Sequence, residues 1–381
     1  MRDAVIVDAI RTPIGRNRGQ LKDWYPEDLL GFVIKNLVTE RHPDLDAHEI
    51  QDVIVGCVTQ TGEQGLNIAR LGGLNAGLPP TVPGVSLNRQ CGSGLQSTMF
   101  AAQGIMAGMQ ELILAGGLES MTRVPMMSDS AGISETLKRL YHIVPQGISA
   151  ELIAERWGQT RQELDEFSLR SHQLMGKATK EGYFKREILP IPVPTIDGKE
   201  VFTTDEGIRY DTSLEKLGKL RPAFQEGGVI TAGNSSQISD GAGAVLIASQ
   251  PKAEELGLKP RARFVSMAVA AVEPTIMLTA PMPASQKALE LAKLTIDDMA
   301  FVEVNEAFAP VPLAFIEELQ VDPKKVNPNG GAIAHGHPLG ATGNILLTKA
   351  LHELERIKKQ YALVTLCIGF GQATAVIIER L

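Results

Sequence analysis

The chain passes through one order of elements twice, and that repetition limits its fold more than any single motif. In the first half the pattern predicts a strand over Gln51–Cys57, a helix over Leu66–Leu74 and a strand over Val82–Leu87. A turn carrying Cys91 follows, then a small-residue helix to about Gly108 and a buried strand, Glu111–Gly117, that ends in glycines. In the second half a strand is expected over Phe301–Asn305, a helix over Phe308–Leu319, and a glycine-rich turn carrying His337. A helix over Asn344–Lys359 and a strand over Tyr361–Cys367, again running into glycine, complete the repeat. On this register Cys91 and His337 occupy equivalent turns, and Ala115-Gly116-Gly117 matches Cys367-Ile368-Gly369. An internal duplication fixes the architecture before any residue-level argument. Strands alternating with helices give a parallel or mixed sheet covered on both faces, so an α/β fold is expected.

The rest of the chain frames the repeat. Strands are expected at Asp3–Ile10, Gly243–Ser249 and Ala262–Val272, and helices at Pro26–Glu40 and Met282–Leu294. From Ser120 to about Gly228 the texture is richer in charge, Met and Pro, with a long helix near Arg161–Glu181 opened by a Thr160/Glu163 capping box. Pro190, Pro192 and Pro194 close that region as an irregular arm. The expected organisation is a first half of residues 1–118 plus 229–258, an inserted segment 119–228 that covers something, and a second half of residues 259–381.

Composition narrows the function. The net charge is −7 without a long basic run, so a nucleic-acid partner is not expected, whereas an anionic small ligand needs only a few local cations. No apolar run approaches the roughly 20 residues that span a bilayer. The amino terminus runs straight into a strand pattern, and three cysteines without a Cys-x-x-Cys pair point to reduced thiols, so a cytoplasmic protein is expected. His335 and His337 have no acidic partner nearby, and no metal site is expected.

Four residues could carry chemistry. Cys91 sits where a strand ends and a helix begins, where free N–H groups and the helix dipole favour a thiolate, the nucleophilic form. Alone it would be a small buried cysteine at a tight turn. In Gly336-His337-Pro338 the proline keeps the histidine out of helical angles, so the ring is aimed from a turn. Cys367 ends an apolar strand, and Asn305 stands at a strand-to-helix junction as either a helix cap or an orienter of a water or carbonyl. Cysteine with histidine points to acyl transfer through a thioester, and a second cysteine to a further proton transfer. Claisen condensation of two acyl thioesters, or its reverse, needs both tasks and two sets of oxyanion donors.

At these residues the chain resembles the thiolases over essentially its whole length. The resemblance lies in Asn88-Arg89-Gln90-Cys91-Gly92-Ser93-Gly94, Asn305-Glu306-Ala307-Phe308, the glycine-rich segment from Gly330 to Gly340, and Cys367-Ile368-Gly369. It implies a five-layered αβαβα duplicated fold with an inserted loop domain. It also implies that Cys91 becomes acylated, that His337 is its base, and that Cys367 moves the α-proton. His337 with a water held by Asn305 would form one oxyanion hole, and the N–H groups of Cys91 and Gly369 the other. Ser236 matches a serine that contacts the pantetheine of coenzyme A, and Arg209 a basic residue near its adenine. Coenzyme A is implied as substrate and product, no permanently bound cofactor is implied, and the implied assembly is a homodimer or homotetramer.

The sequence also departs from the family pattern. Phe370 stands where members often have glycine, and its bulk is expected to narrow the site near Cys367 or shape its acyl end. The segment from Val144 to Glu151 replaces the His-Met-Gly pattern of acetoacetyl-CoA thiolases, which favours a degradative 3-ketoacyl-CoA thiolase. An acetoacetyl-CoA thiolase and a non-catalytic thiolase-like subunit are the alternatives. A ketosynthase of the same fold would carry histidine where Cys367 stands.

Overall fold

The computed structural model describes residues 2–193 and 200–381; Pro194, at the end of the expected arm, lies outside them. The first half contains β1 (Ala4–Arg11), the short β2 (Gly15–Arg16), α1 (Pro26–Lys35), β3 (Asp52–Gly56), α2 (Ile68–Asn75), β4 (Gly84–Leu87), α3 (Ser93–Met106) and β5 (Leu112–Ser120). The next segment carries α4 (Glu135–Leu140), α5 (Gln146–Arg156), α6 (Arg161–Lys180), a small hairpin of β6 (Ile191–Pro192) and β7 (Val201–Phe202), and α7 (Leu214–Gly218). Then come β8 (Ser239–Ser249) and α8 (Gln250–Glu255), followed by β9 (Ala262–Ala271), α9 (Pro281–Ala292), β10 (Phe301–Val304) and α10 (Pro310–Leu319). The last elements are α11 (Ala332–His335), α12 (Leu339–Ile357), β11 (Tyr361–Ile368) and β12 (Gln372–Arg380).

The duplication is visible in the strand order. The long strands of the first half line up as β4-β3-β5-β8-β1, with β3 parallel to both β4 and β5 and β8 antiparallel to its neighbours. The second half lines up as β10-β11-β12-β9, with β10 and β11 parallel and β12 antiparallel to both neighbours. Its missing member is a single parallel bridge, Val302 to Val326, where β4 has its counterpart. The two sheets meet at β1 and β9 through the pairs Val5–Arg263 and Ile6–Ala262.

Alternation along the strands builds the layers, because successive side chains point to opposite faces. Val53 and Val55 face one cluster with Leu29, Leu30, Val33 and Ile34 of α1. Ile54 faces the other way, into a cluster that also holds Leu95 and Met99 of α3 and Leu347 and Leu351 of α12. Val364 and Leu366 of β11 enter that same central cluster, while Leu363 turns out toward α9 and α10. The order is therefore helices, sheet, the central pair α3 and α12, sheet, helices. Each fully buried Val, Leu or Ile contributes about 1.5–3 kcal/mol relative to an exposed one.

The central helices approach closely at their N-terminal ends. A Cβ at Gly343 would stand 2.0 Å from the Leu95 backbone nitrogen, so a larger side chain there would force α3 and α12 apart. α12 begins at Leu339, five residues before the expected Asn344, so His337 lies immediately before its Pro338 cap. β5 runs to Ser120, past the expected boundary, and neither β12 nor α5 is among the expected elements. The halves also differ at one corner: residues 121–238 separate β5 from β8, whereas Gly369-Phe370-Gly371 alone turns β11 into β12.

Candidate active site

Neither α3 nor α12 has a side-chain cap on its N-cap residue, but the first-turn N–H groups of α12 are taken: Gly340 donates to Glu119 Oε2 (2.9 Å), and Ala341 and Thr342 donate to the Pro338 carbonyl (2.9 Å each). The turn before α3 is braced locally. Gln90 adopts a positive φ of 45°, its N–H donates to Asn88 Oδ1 (2.7 Å), and Ser93 Oγ donates to the Gln90 carbonyl (2.6 Å). Cys91 is thereby fixed, buried, in a small apolar cluster with Met121 and with Leu339 of the second half.

Burial pushes the Cys91 thiol up to about 11, although the N–H groups of Cys91 and Gly369 and the Gln146 side chain pull the other way. The expected thiolate is therefore not the resting form: loss of hydration outweighs the donors at the helix start. Gly369 reaches this sulfur from the turn after β11. A Cβ at Gly369 would lie 2.1 Å from Gln90 Oε1 and 3.2 Å from Gln146 Nε2, so a larger residue there would displace these two side chains. Cys367, two residues earlier, is buried, and its thiol is also pushed up, by burial first and then by the neighbouring Cys91.

His337 is held from its own helix and from two other segments. Thr342 Oγ1 donates to the Pro338 carbonyl (2.8 Å) and lies 2.6 Å from His337 Nδ1. Its hydrogen being committed, the hydroxyl accepts from Nδ1–H, which leaves a lone pair on Nε2. Asn305 Nδ2 stands 3.3 Å from that Nε2 and donates to it. Ser239 Oγ accepts from the His337 N–H at 3.2 Å. Burial lowers the His337 pKa to about 4, so the imidazole is neutral at pH 7. Asn305 is tied to the strand of Cys367, since its N–H donates to the Thr365 carbonyl (3.0 Å). Its Oδ1 is buried without a partner among the described residues.

Ser236 is half-buried on the loop before β8, and its N–H donates to the Ala307 carbonyl (2.9 Å), docking that loop on the segment after Asn305. Arg209 is exposed, and its N–H donates to His172 Nδ1 (3.1 Å). Arg209, His172, Ala232, Gly233 and Gln237 border one small cleft whose wall includes Ile333 of α11. Cys91, Cys367 and Gly369 thus come together, His337 joins Asn305, Arg209 borders the cleft, and Ser236 stands on the loop docked at Ala307. Phe370 has a positive φ of 61° in a left-handed turn with Gly371 and is 44% exposed. Thr342 and Gln146 are the contributors that motif reading misses. Thr342 lies two residues beyond the glycine-rich segment and was legible as a hydroxyl between Gly340 and Gly343, whereas Gln146 belongs to a helix the sequence does not announce.

Among the described residues no group of three or more His, Cys, Asp or Glu stands together as a metal site, and no helix is long and apolar enough to cross a membrane. A duplicated α/β fold with cysteine and histidine at paired helix starts defines an acyl-transferring enzyme. The family model for the thiolase N-terminal domain matches residues 4–251, and that for the thiolase C-terminal domain matches residues 258–380. The chain is 46% identical over 394 residues to a steroid 3-ketoacyl-CoA thiolase of Mycobacterium tuberculosis, covering 100% of this chain and 95% of the relative. It is 44% identical over 393 residues to a 3-ketoacyl-CoA thiolase of Bacillus subtilis, with 100% of both covered. Among solved structures, the Bacillus anthracis acetyl-CoA acetyltransferase superposes with a TM-score of 0.91 at 38% identity, covering 100% of this chain and 99% of that one. The chain belongs to the thiolase family.

Proposed function

We propose that the enzyme is a degradative 3-ketoacyl-CoA thiolase, acting through a Cys91 acyl-enzyme. The observation that carries the reading is the meeting of Cys91 with the Gly369 N–H, two residues from Cys367, across the joint between the halves. His337 Nε2 takes the Cys91 proton as the sulfur attacks the 3-keto carbon. The bond between C2 and C3 breaks, the acyl group stays on Cys91, and the acetyl-CoA enolate leaves with a proton from Cys367. The thiol of a second coenzyme A then loses its proton to Cys367 and attacks the thioester, releasing the shortened acyl-CoA and restoring Cys91 with the proton from His337.

The charge that develops on each carbonyl needs donors already in place. The N–H groups of Cys91 and Gly369 serve the thioester oxygen. His337, once protonated, and a water on Asn305 serve the other, and the buried, unpartnered Asn305 Oδ1 is the group that would hold that water. Ser236 and Arg209 are assigned to the pantetheine and adenine ends of coenzyme A, in keeping with their loop and cleft. The organisation that fits is residues 1–118 plus 229–258 as one half, 119–228 as the covering insertion and 259–381 as the other half. A homodimer or homotetramer is in keeping with the free edge of β4, whose Val85 is 45% exposed. Three free, buried cysteines fit a reducing cytoplasm.

The test is a series of 3-ketoacyl-CoA substrates of increasing chain length, with intact-mass detection of acylated Cys91. Cleavage of the longer substrates with acyl mass on Cys91 is expected. Efficient cleavage of acetoacetyl-CoA alone would make the enzyme an acetoacetyl-CoA thiolase, and no acyl mass would make it a non-catalytic member.

A further inference from the structure

Glu119, next to the end of β5, is wholly buried, and among the described residues no cation pairs with it. Its Oε1 accepts from the Thr59 N–H (3.1 Å) and from Gln64 Nε2 (2.9 Å). Its Oε2 accepts from the Val58 N–H (3.0 Å) and the Gly340 N–H (2.9 Å). Gln64 is itself set by the Ser120 N–H, which donates to its Oε1 at 2.6 Å. Each side of this carboxylate leads to a reacting group. The Val58 carbonyl accepts from Asn88 Nδ2 (2.9 Å), and Asn88 Oδ1 accepts from the N–H of Gln90, the residue before Cys91. Gly340 lies in the first turn of α12, three residues after His337.

An isolated buried charge costs several kcal/mol even after relaxation, and a chain that needed only to fold would have little use for one here. Four donors aimed at one carboxylate, taken from both halves, are a device for holding those halves in register. We infer that Glu119 is a positioning residue for the reaction, joining the turn of Cys91 to the turn of His337 through a single carboxylate. The inference rests on the acyl-transfer reading of Cys91 and His337.

The same carboxylate has a second effect. Burial pushes the Glu119 carboxyl up while its four donors pull it back, and its charge adds to burial, as a smaller cause, in opposing ionisation of the Cys91 thiol. With burial as the main cause, the resting pair is a neutral thiol beside a neutral imidazole, and the thiol proton leaves only when His337 can take it as the carbon–sulfur bond forms. Glu119 separates geometry from acidity: removing its charge makes Cys91 more acidic yet leaves it worse placed.

Glu119→Gln in the full-length enzyme tests this. Alkylation of Cys91 by iodoacetamide, located by peptide mass, is followed against pH, alongside steady-state thiolysis. The midpoint of alkylation is expected to move to lower pH while kcat falls by on the order of a hundredfold, with KM for coenzyme A little changed. A folded variant with the wild-type alkylation midpoint, or with wild-type kcat, overturns the inference. Should Glu119→Gln fail to fold, Glu119→Asp decides. It keeps the charge but shortens the reach, so it should hold the wild-type alkylation midpoint and still lose kcat; wild-type kcat there overturns the inference. Acylation of wild-type Cys91 by acyl-CoA is measured in parallel, and its absence would fault the acyl-transfer reading instead.

Discussion

Cys91 and His337 stand at the same place in the two halves, each just before the first turn of a central helix, yet they are held in opposite ways. The His337 ring is fixed from within its own half, although its N–H is bound by Ser239 of the other: Thr342 of the following helix takes Nδ1–H, and Asn305 faces Nε2. Cys91 depends on the other half, because Gly369 supplies an N–H to its sulfur and Leu339 closes the apolar cluster around it. Burial acts on both in one sense. It raises the thiol to about 11 and lowers the imidazole to about 4, so each rests uncharged. Two equivalent helix starts therefore do not give two equivalent electrostatic sites. Dehydration sets the resting charge, and the donors that reach the Cys91 sulfur are the N–H groups of Cys91 and Gly369.

The largest effect should come from comparing the two cysteines. Cys91→Ala is expected to abolish acyl-enzyme formation and reduce thiolysis on the order of 10⁴-fold or more. Cys367→Ala should still take an acyl group onto Cys91 from acyl-CoA, yet lose carbon–carbon bond exchange. Intact mass and a two-carbon exchange assay separate these steps, and equal loss of both in the two variants would erase the division between them.

A smaller effect is expected from the His337 ring. Thr342→Val keeps the shape but leaves Nδ1–H without its acceptor, so kcat should fall on the order of a hundredfold. Nitrogen NMR of the His337 ring should then show a mixed tautomer. A single Nδ1–H form with wild-type kcat would mean that Asn305 alone orients the ring.

The smallest effect concerns stability. His337, His172 and His352 are each lowered by burial from 6.5 to about 4 in the folded chain. Between pH 6.5 and 4 the unfolded chain therefore binds protons that the folded chain refuses, and stability drops as the pH falls through that window. Calorimetry should show the melting temperature decreasing from pH 7 to pH 5. A His337→Gln variant should lose part of that slope, and a slope identical to wild type would remove His337 from the account.

Much of this was legible in the sequence for specific reasons. Alternating strands and small-residue helices gave the two α/β halves, and glycines beside Cys91, His337 and Cys367 marked strand ends where side chains are aimed from turns. Asn305 was legible as a junction residue, although its buried contact with His337 was not. What escaped was whatever depends on atoms without a letter or on distant chain. The Gly369 donor is a backbone N–H, Glu119 resembles any acidic residue at the end of a strand, and Gln146 opens a helix with no apolar rhythm. The expected thiolate failed because local helix geometry is readable from sequence and the loss of water around a sulfur is not. The left-handed backbone of Phe370 was also not legible from its letter.

The close approach of Gly343 to Leu95 has a consequence for how this enzyme comes into being. The two residues are far apart along the chain, so their contact closes a very long loop, and such contacts form slowly. Each sheet can gather its own helices early, while the reacting groups remain apart until the central helices dock. Regain of activity during refolding should lag behind regain of helical signal, since catalysis here is a property of the docked pair and of neither half alone.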